Sequence, residues 1–130
     1  MTMIDPIADA LVAVKNSDHA SKKECNFKPG SKLLREILRV MKEKGYIEGI
    51  EFLEDRKGDR VKVRLGGKIN ECKAIKPRYA VKKDGFEKYE KRYLPAKDVG
   101  IIIVTTPKGV VTHFDAKAQG LGGRLLAYVY

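Results

Sequence analysis

The sequence predicts an α+β fold, with α and β elements mixed, on three observations. Two segments repeat apolar residues at helical spacing, several shorter ones alternate or run continuously apolar, and Gly or Pro punctuates the joins between them. A chain of 130 residues admits one compact domain or two small ones, and an apolar share of 43% is enough for a core.

The first helix opens at Asp5-Pro6, a capping acid followed by proline at the first helical position. Ile7, Leu11 and Val14 lie at i, i+4 and i+7, and the helix is expected to end near Asn16. After the polar stretch NSDHASKK, the alternation of ECNFK suggests a short strand. Ser31, behind Pro29-Gly30, is placed to cap a second helix with a stripe of Leu33, Leu34, Ile37, Leu38 and Met41, and Gly45 supplies its terminator. YIEGIEFLE and RVKVRL then read as two strands joined by DRKGD, where Gly58 can take positive φ. In the second of them Val61, Val63 and Leu65 face one way, Lys62 and Arg64 the other.

Beyond Gly66-Gly67 the reading changes to a mostly antiparallel sheet with one short helix. A hairpin around KKDG is expected, with strands near Tyr79–Val81 and Phe86–Tyr89. VGIIIV has the continuous apolar run of a central strand, TTPKG turns the chain and VVT returns. Phe114 to Gln119 gives the short helix, closed by Gly120, and RLLAYVY is the last strand.

Net charge points to a polyanionic partner. The chain carries 27 Lys and Arg against 17 Asp and Glu, a formal +10 with a pI of about 9.6. Residues 1–65 hold 14 of the cations against 11 acids, and residues 66–130 hold 13 against 6, so the excess sits in the second half. From Lys76 to Tyr93 the cations, Arg78 among them, are interleaved with Tyr79, Phe86, Tyr89 and Tyr93. Rings that stack on bases and cations that neutralise phosphates make a nucleic-acid surface, whereas rings packed on the core make only a solvated hairpin. Composition leaves the two even.

Other chemistries find little support. Thr112, His113 and Asp115 hold the ingredients of nucleophilic catalysis, but a helix start capped by Thr112 or Asp115 explains them as well. His19 sits in a polar stretch. TTPKG and GLGG lack the context of a nucleotide-binding loop, since a strand follows Gly109. Cys25 and Cys72 have no partners at metal-ligand spacing and are expected to be reduced and partly buried. No enzyme activity, cofactor or metal is expected. No segment has the ~20 apolar residues of a membrane span, and the N-terminus lacks the basic start of a secretory leader, so the expected compartment is the cytoplasm.

The pattern as a whole is carried by DPIADALVAVKN, KPGSKLLREILRVMKEKGYI, IKPRY, YLP and GIIIVTTPKGVVTHFDAKAQGLGGRLLAYVY. It resembles the small-subunit ribosomal protein S eight family along nearly the whole chain, and the long basic insertion between Pro77 and Leu94 looks like the archaeal or eukaryotic branch. The resemblance implies two α/β domains, 1–67 and 68–130, the second carrying most of the RNA surface. It also implies a primary binder of the central domain of small-subunit ribosomal RNA that aids subunit assembly, beside neighbouring ribosomal proteins. The protein's own messenger RNA is a further partner to consider.

In that family the turn usually reads Ser-Thr-Ser-Lys-Gly. Thr105 and Thr106 match by chemistry and Lys108 and Gly109 match outright, while Pro107 replaces a hydroxyl with a flat ring face that can press on a base. By position, Gly122 and Gly123 are expected to allow close approach of RNA and Tyr128 to lie under the binding face. Arg124, where a Glu is common, is expected to contact phosphate. The aromatic before Leu94-Pro95 is assigned to Tyr89, and Lys15, Asn16, Ser31 and Lys32 match positions near RNA. The rival reading is a basic adaptor that binds acidic proteins through Tyr79, Tyr89 and Tyr93.

Overall fold

The computed structural model describes residues 6–27, 32–55, 58–96 and 98–130, and the chain divides into two compact units, Met1–Asn70 and Glu71–Tyr130. Asp5, Pro29, Gly30 and Ser31, and with them the proposed caps of the first two helices, lie outside the described residues.

The first unit runs α1 (Pro6–His19), β1 (Glu24–Phe27), α2 (Lys32–Glu43), β2 (Gly49–Asp55) and β3 (Gly58–Arg64). Its three strands form an antiparallel sheet in the order β1-β3-β2. Valine alternation sets the register: Val61 pairs with Phe27 and Phe52, Val63 with Cys25 and Ile50, and both valines are fully buried while Arg64 is exposed. Ile7, Ala10, Leu11 and Val14 of α1 are buried, as are Leu34, Ile37, Leu38, Val40 and Met41 of α2. Leu33, expected in that stripe, is half-buried. α2 ends as predicted: Gly45 has φ of 83° and the Tyr46 N–H donates back to the Met41 carbonyl at 2.9 Å.

α1 runs three residues past the expected end at Asn16, for a reason no local pattern contains. Asp18, 6% exposed, accepts the N–H of Gly67 at 2.8 Å and of Ile69 at 3.0 Å. A carboxylate in the last turn of the helix thus holds the chain where it leaves the first unit, and this is why residues 68–70 stay with that unit. Cys25 and Cys72 are both buried, and neither is in a disulfide.

The second unit runs β4 (Cys72–Ala74), β5 (Ala80–Val81), α3 (Phe86–Tyr93), β6 (Ile101–Thr106), β7 (Gly109–Thr112), α4 (His113–Gln119) and β8 (Gly123–Val129). β8 pairs with β6 on one side and on the other with β4 and then β5, giving the antiparallel order β4-β8-β6-β7 with β5 added on β8. Ile101 to Val104 are all buried, as the apolar run requires of a central strand.

Two expectations fail here. Phe86–Tyr93 is a helix and not the second strand of a hairpin, so the unit has two helices where one was expected. Phe86, Tyr89 and Tyr93 stand at i, i+3 and i+7, which turns all three rings toward a core of Ile75, Val81, Leu94, Ile102, Val104, Ala116 and Leu125. Lys91 and Glu87 close an i, i+4 ion pair at 3.4 Å on the outer side. β4 has no expected counterpart: its three residues become a strand only because β8 is there to pair with them.

The Asp18 contacts generate a test. Asp18→Ala strands two N–H groups, one of them buried, and is expected to lower unfolding free energy by about 2–3 kcal/mol, as for lost hydrogen bonds to a charged group. Urea denaturation reads this directly, and a loss below about 0.5 kcal/mol would show that water replaces the carboxylate.

Candidate nucleic-acid interface

The β6–β7 hairpin closes on two residues, Pro107 and Lys108, between the paired Thr106 and Gly109. Pro107 fixes one φ, and Gly109 has φ of 118°, which L side chains rarely adopt. The Thr106 hydroxyl completes the turn: it donates to the Gly109 carbonyl at 2.8 Å and accepts the Lys108 N–H at 3.2 Å. Thr106 is accordingly only 9% exposed. Thr105 is half-buried, and Pro107, Lys108 and Gly109 are exposed. The two threonines, alike in sequence, differ in use: one shapes the turn and the other has its hydroxyl outside that network.

β8 brings the second motif to the same place. Thr105 pairs with Arg124, and Arg124 pairs on its other side with Ala80, so three strands lie side by side at the hairpin end of the sheet. Gly122 and Gly123, both half-buried, are required by the protein's own backbone. A Cβ at Gly123 would run into the Thr105 carbonyl, and one at Gly122 would lie 2.6 Å from the Val81 carbonyl. Arg124 and Arg78 are exposed. Tyr128 lies four residues further along β8, paired with Ile102 and Lys73, and stacks with Tyr93 at 5.2 Å and Tyr130 at 6.2 Å between ring centroids.

Tyr79, Tyr89 and Tyr93 are half-buried against the core of the unit, with Tyr79 and Tyr89 5.5 Å apart. Lys15 is half-buried and Asn16 exposed on α1, and Lys32 is exposed at the start of α2; these three belong to the first unit, and Ser31 lies outside the described residues. Thr105 to Gly109 and Gly122 to Arg124 are therefore the residues that the structure gathers into one place.

The would-be catalytic group is engaged elsewhere. The Thr112 hydroxyl accepts the Asp115 N–H at 3.2 Å and caps α4. His113 is 1% exposed, and its Nδ1 accepts the Ile102 N–H at 3.0 Å, so in the neutral ring Nε2 carries the hydrogen. Nε2 lies 3.2 Å from Glu90 Oε1 of α3, close but misaligned for a hydrogen bond, and the same carboxylate takes an ion pair from Lys117 of α4. Hydroxyl and imidazole each serve backbone, and the imidazole ties α4 to β6 and faces α3. Sequence reasoning missed Glu90 and Lys117, because the contact joins two helices with two strands, β6 and β7, between them in the chain. Among the described residues, no group of three or more His, Cys, Asp or Glu is placed to hold a metal, and no helix is long and apolar enough to cross a membrane.

Burial, the largest influence, holds the His113 pKa below the ordinary histidine value against the opposing pull of Glu90, while Lys117 adds to the lowering. The unfolded chain then binds the proton more readily than the folded one. Stability is fully present above the unfolded value, about 6.5, and falls as pH drops below it. His113→Asn keeps an acceptor for the Ile102 N–H and removes the titration. The variant is expected to show a shallower loss of melting temperature between about pH 7 and 5 than the parent protein, and parallel curves would mean that His113 does not drive the loss.

Comparison with known families adds a finding independent of this geometry: residues 5–130 match the family model described as ribosomal protein S8.

Proposed function

The chain belongs to the ribosomal protein S8 family, small-subunit proteins that bind ribosomal RNA and have a structural rather than enzymatic role in translation, and from that premise we propose that its second unit grips an irregular RNA helix through the β6–β7 turn. The observation that carries this reading is the Thr105–Arg124 pairing, which sets two distant motifs side by side on the more basic half of the chain. On this reading the RNA is the central domain of the small-subunit ribosomal RNA, the contact supports subunit assembly on cytoplasmic ribosomes, and neighbouring ribosomal proteins adjoin it. Its own messenger, where it offers a similar irregular helix, would compete for the same corner.

The mechanism follows from the groups left over after the turn is built. Lys108 and Arg124 take phosphates, which position the protein without reading sequence. The Thr105 hydroxyl and the exposed ring of Pro107 meet unstacked bases, which irregular helices present and regular A-form helices hide. Thr106, Gly109, Gly122 and Gly123 shape the corner, and Tyr128 and Tyr89 support it from within the sheet and α3. Lys15, Asn16, Ser31 and Lys32 contribute a separate phosphate contact from the first unit, with the start of α2 favourable for an anion.

Two threonine variants separate contact from shape. Thr105→Val keeps the side-chain volume and is expected to weaken binding of a small-subunit RNA fragment by about 1–2 kcal/mol with an unchanged melt, as for lost hydrogen bonds. Thr106→Val removes both bonds inside the turn, so affinity and melting temperature are expected to fall together. Filter binding and thermal melts decide it; full affinity in Thr105→Val would remove that hydroxyl from the interface. Lys108→Ala and Arg124→Ala are each expected to reduce the slope of log affinity against log salt by about one unit. A parental slope in both would sink the phosphate assignment.

A further inference from the structure

We propose that α3 forms a second RNA-contacting surface, on which the Arg92 guanidinium and the Lys88 ammonium grip phosphates of the RNA that the β6–β7 turn holds. This rests on the reading of the turn and extends it to an element that reading uses only as internal support.

The interleaved aromatics and cations between Lys76 and Tyr93 have two possible uses, stacking on bases or packing on the core, and the fold gives the rings and the cations different ones. Tyr79, Tyr89 and Tyr93 are packed against the core of the unit. The cations stand over the rings: Arg92 lies 5.4 Å from the centroids of both Tyr79 and Tyr93, and Lys88 5.6 Å from that of Tyr89. With core on them and a cation over them, the rings have little face left for a base. Lys88 and Arg92 are both exposed and one helical turn apart, so they share a face of α3. The helix's acids do not compete for them, because Glu87 pairs with Lys91 and Glu90 with Lys117.

A guanidinium lying over rings keeps its N–H edge for a phosphate, and a side chain already held in place loses less rotamer freedom on binding. Continuity with the turn selects RNA over an acidic protein. Arg92 sits over Tyr79, the next residue Ala80 pairs with Arg124, and Arg124 pairs with Thr105. Ala80 and Thr105 are two strand spacings apart, about 10 Å, well within the width of one RNA helix. Residues 76–93 hold seven Lys and Arg against three Asp and Glu, a surplus suited to a repeating phosphate chain.

The test is the double variant Lys88→Gln/Arg92→Gln, titrated with a small-subunit ribosomal RNA fragment over a salt series and mapped by hydroxyl-radical footprinting. The salt slope is expected to fall by about two units, and one block of backbone protection should vanish while protection at the turn persists. Arg92→Lys, which keeps a cation over the rings but loses the planar fork, is expected to hold the melting temperature and bind more weakly than the parent. If the double variant fails to fold, Lys88→Gln alone carries the test with a slope change of about one unit. A folded variant with the parental slope and footprint overturns the proposal, as does one whose only defect is lost binding to an acidic protein. If the parent protein itself shows no preference for small-subunit RNA, the reading of the turn falls; if only the α3 footprint is missing, the turn stands and this inference alone fails.

Discussion

Where β8 begins, its backbone lies against β6 so closely that no side chain fits at residue 123 without meeting the Thr105 carbonyl. Much of the second unit follows from that approach. It lets Val104 pair with Leu125, both fully buried, and Thr105 with Arg124 directly after it. One residue earlier, Gly122 lies under the Val81 carbonyl, so the other neighbour of β8 is drawn in by the same absence of side chains. A register shift between Ile103 and Val104 sits just before this corner. Such a shift changes which side chains of β8 face the core, and it leaves Leu125 there while its neighbour Arg124 is exposed. Glycine pairs beside basic turns invite explanation by a ligand, but here the space they leave is occupied by the chain itself.

A second constraint is that polar groups at the ends of buried strands need partners within the protein. Thr112, His113 and Thr106 are all buried, and each is bonded to backbone: Thr112 to the start of α4, His113 to β6, Thr106 across its own turn. The side chains that look most chemical in the sequence are thereby those least available to a partner. What remains for one is the outer set, Thr105, Lys108 and Arg124, placed by alternation along the strands and by the turn.

Legibility followed the range of the interaction. α2 and the β6–β7 hairpin were readable because a full apolar stripe, a continuous apolar run and turn residues all lie within a few positions of one another. α3 was misread although its signal was present: Phe86, Tyr89 and Tyr93 at helical spacing, and Glu87 four residues before Lys91. Eight residues rich in β-favouring aromatics, just after a Lys-Asp-Gly turn, outweighed that periodicity. β4 and the last turn of α1 depend on β8 and on Gly67 and Ile69, each some fifty residues away in sequence, and no local window contains them. Of the candidate site, the motif Thr-Thr-Pro-Lys-Gly was visible from its resemblance, whereas the division of labour between Thr105 and Thr106 exists only in three dimensions.

Pro107 is the position where this division has most consequence. A third hydroxyl in the turn would add a donor with free rotation, which must be ordered on binding. Proline contributes no donor, but it removes backbone freedom from the unfolded and folded chain alike. With the Thr106 bonds across it and Gly109 in the conformation that glycine tolerates, the tip is a rigid shape presenting one hydroxyl, one ring face and one ammonium. A rigid tip gains affinity by avoiding ordering costs on binding, and it discriminates by fit, since a regular A-form helix offers it no splayed base to meet. On the proposed reading, selectivity therefore resides in the geometry that the β6–β8 approach imposes, and the surrounding cations add affinity without changing which RNA is chosen.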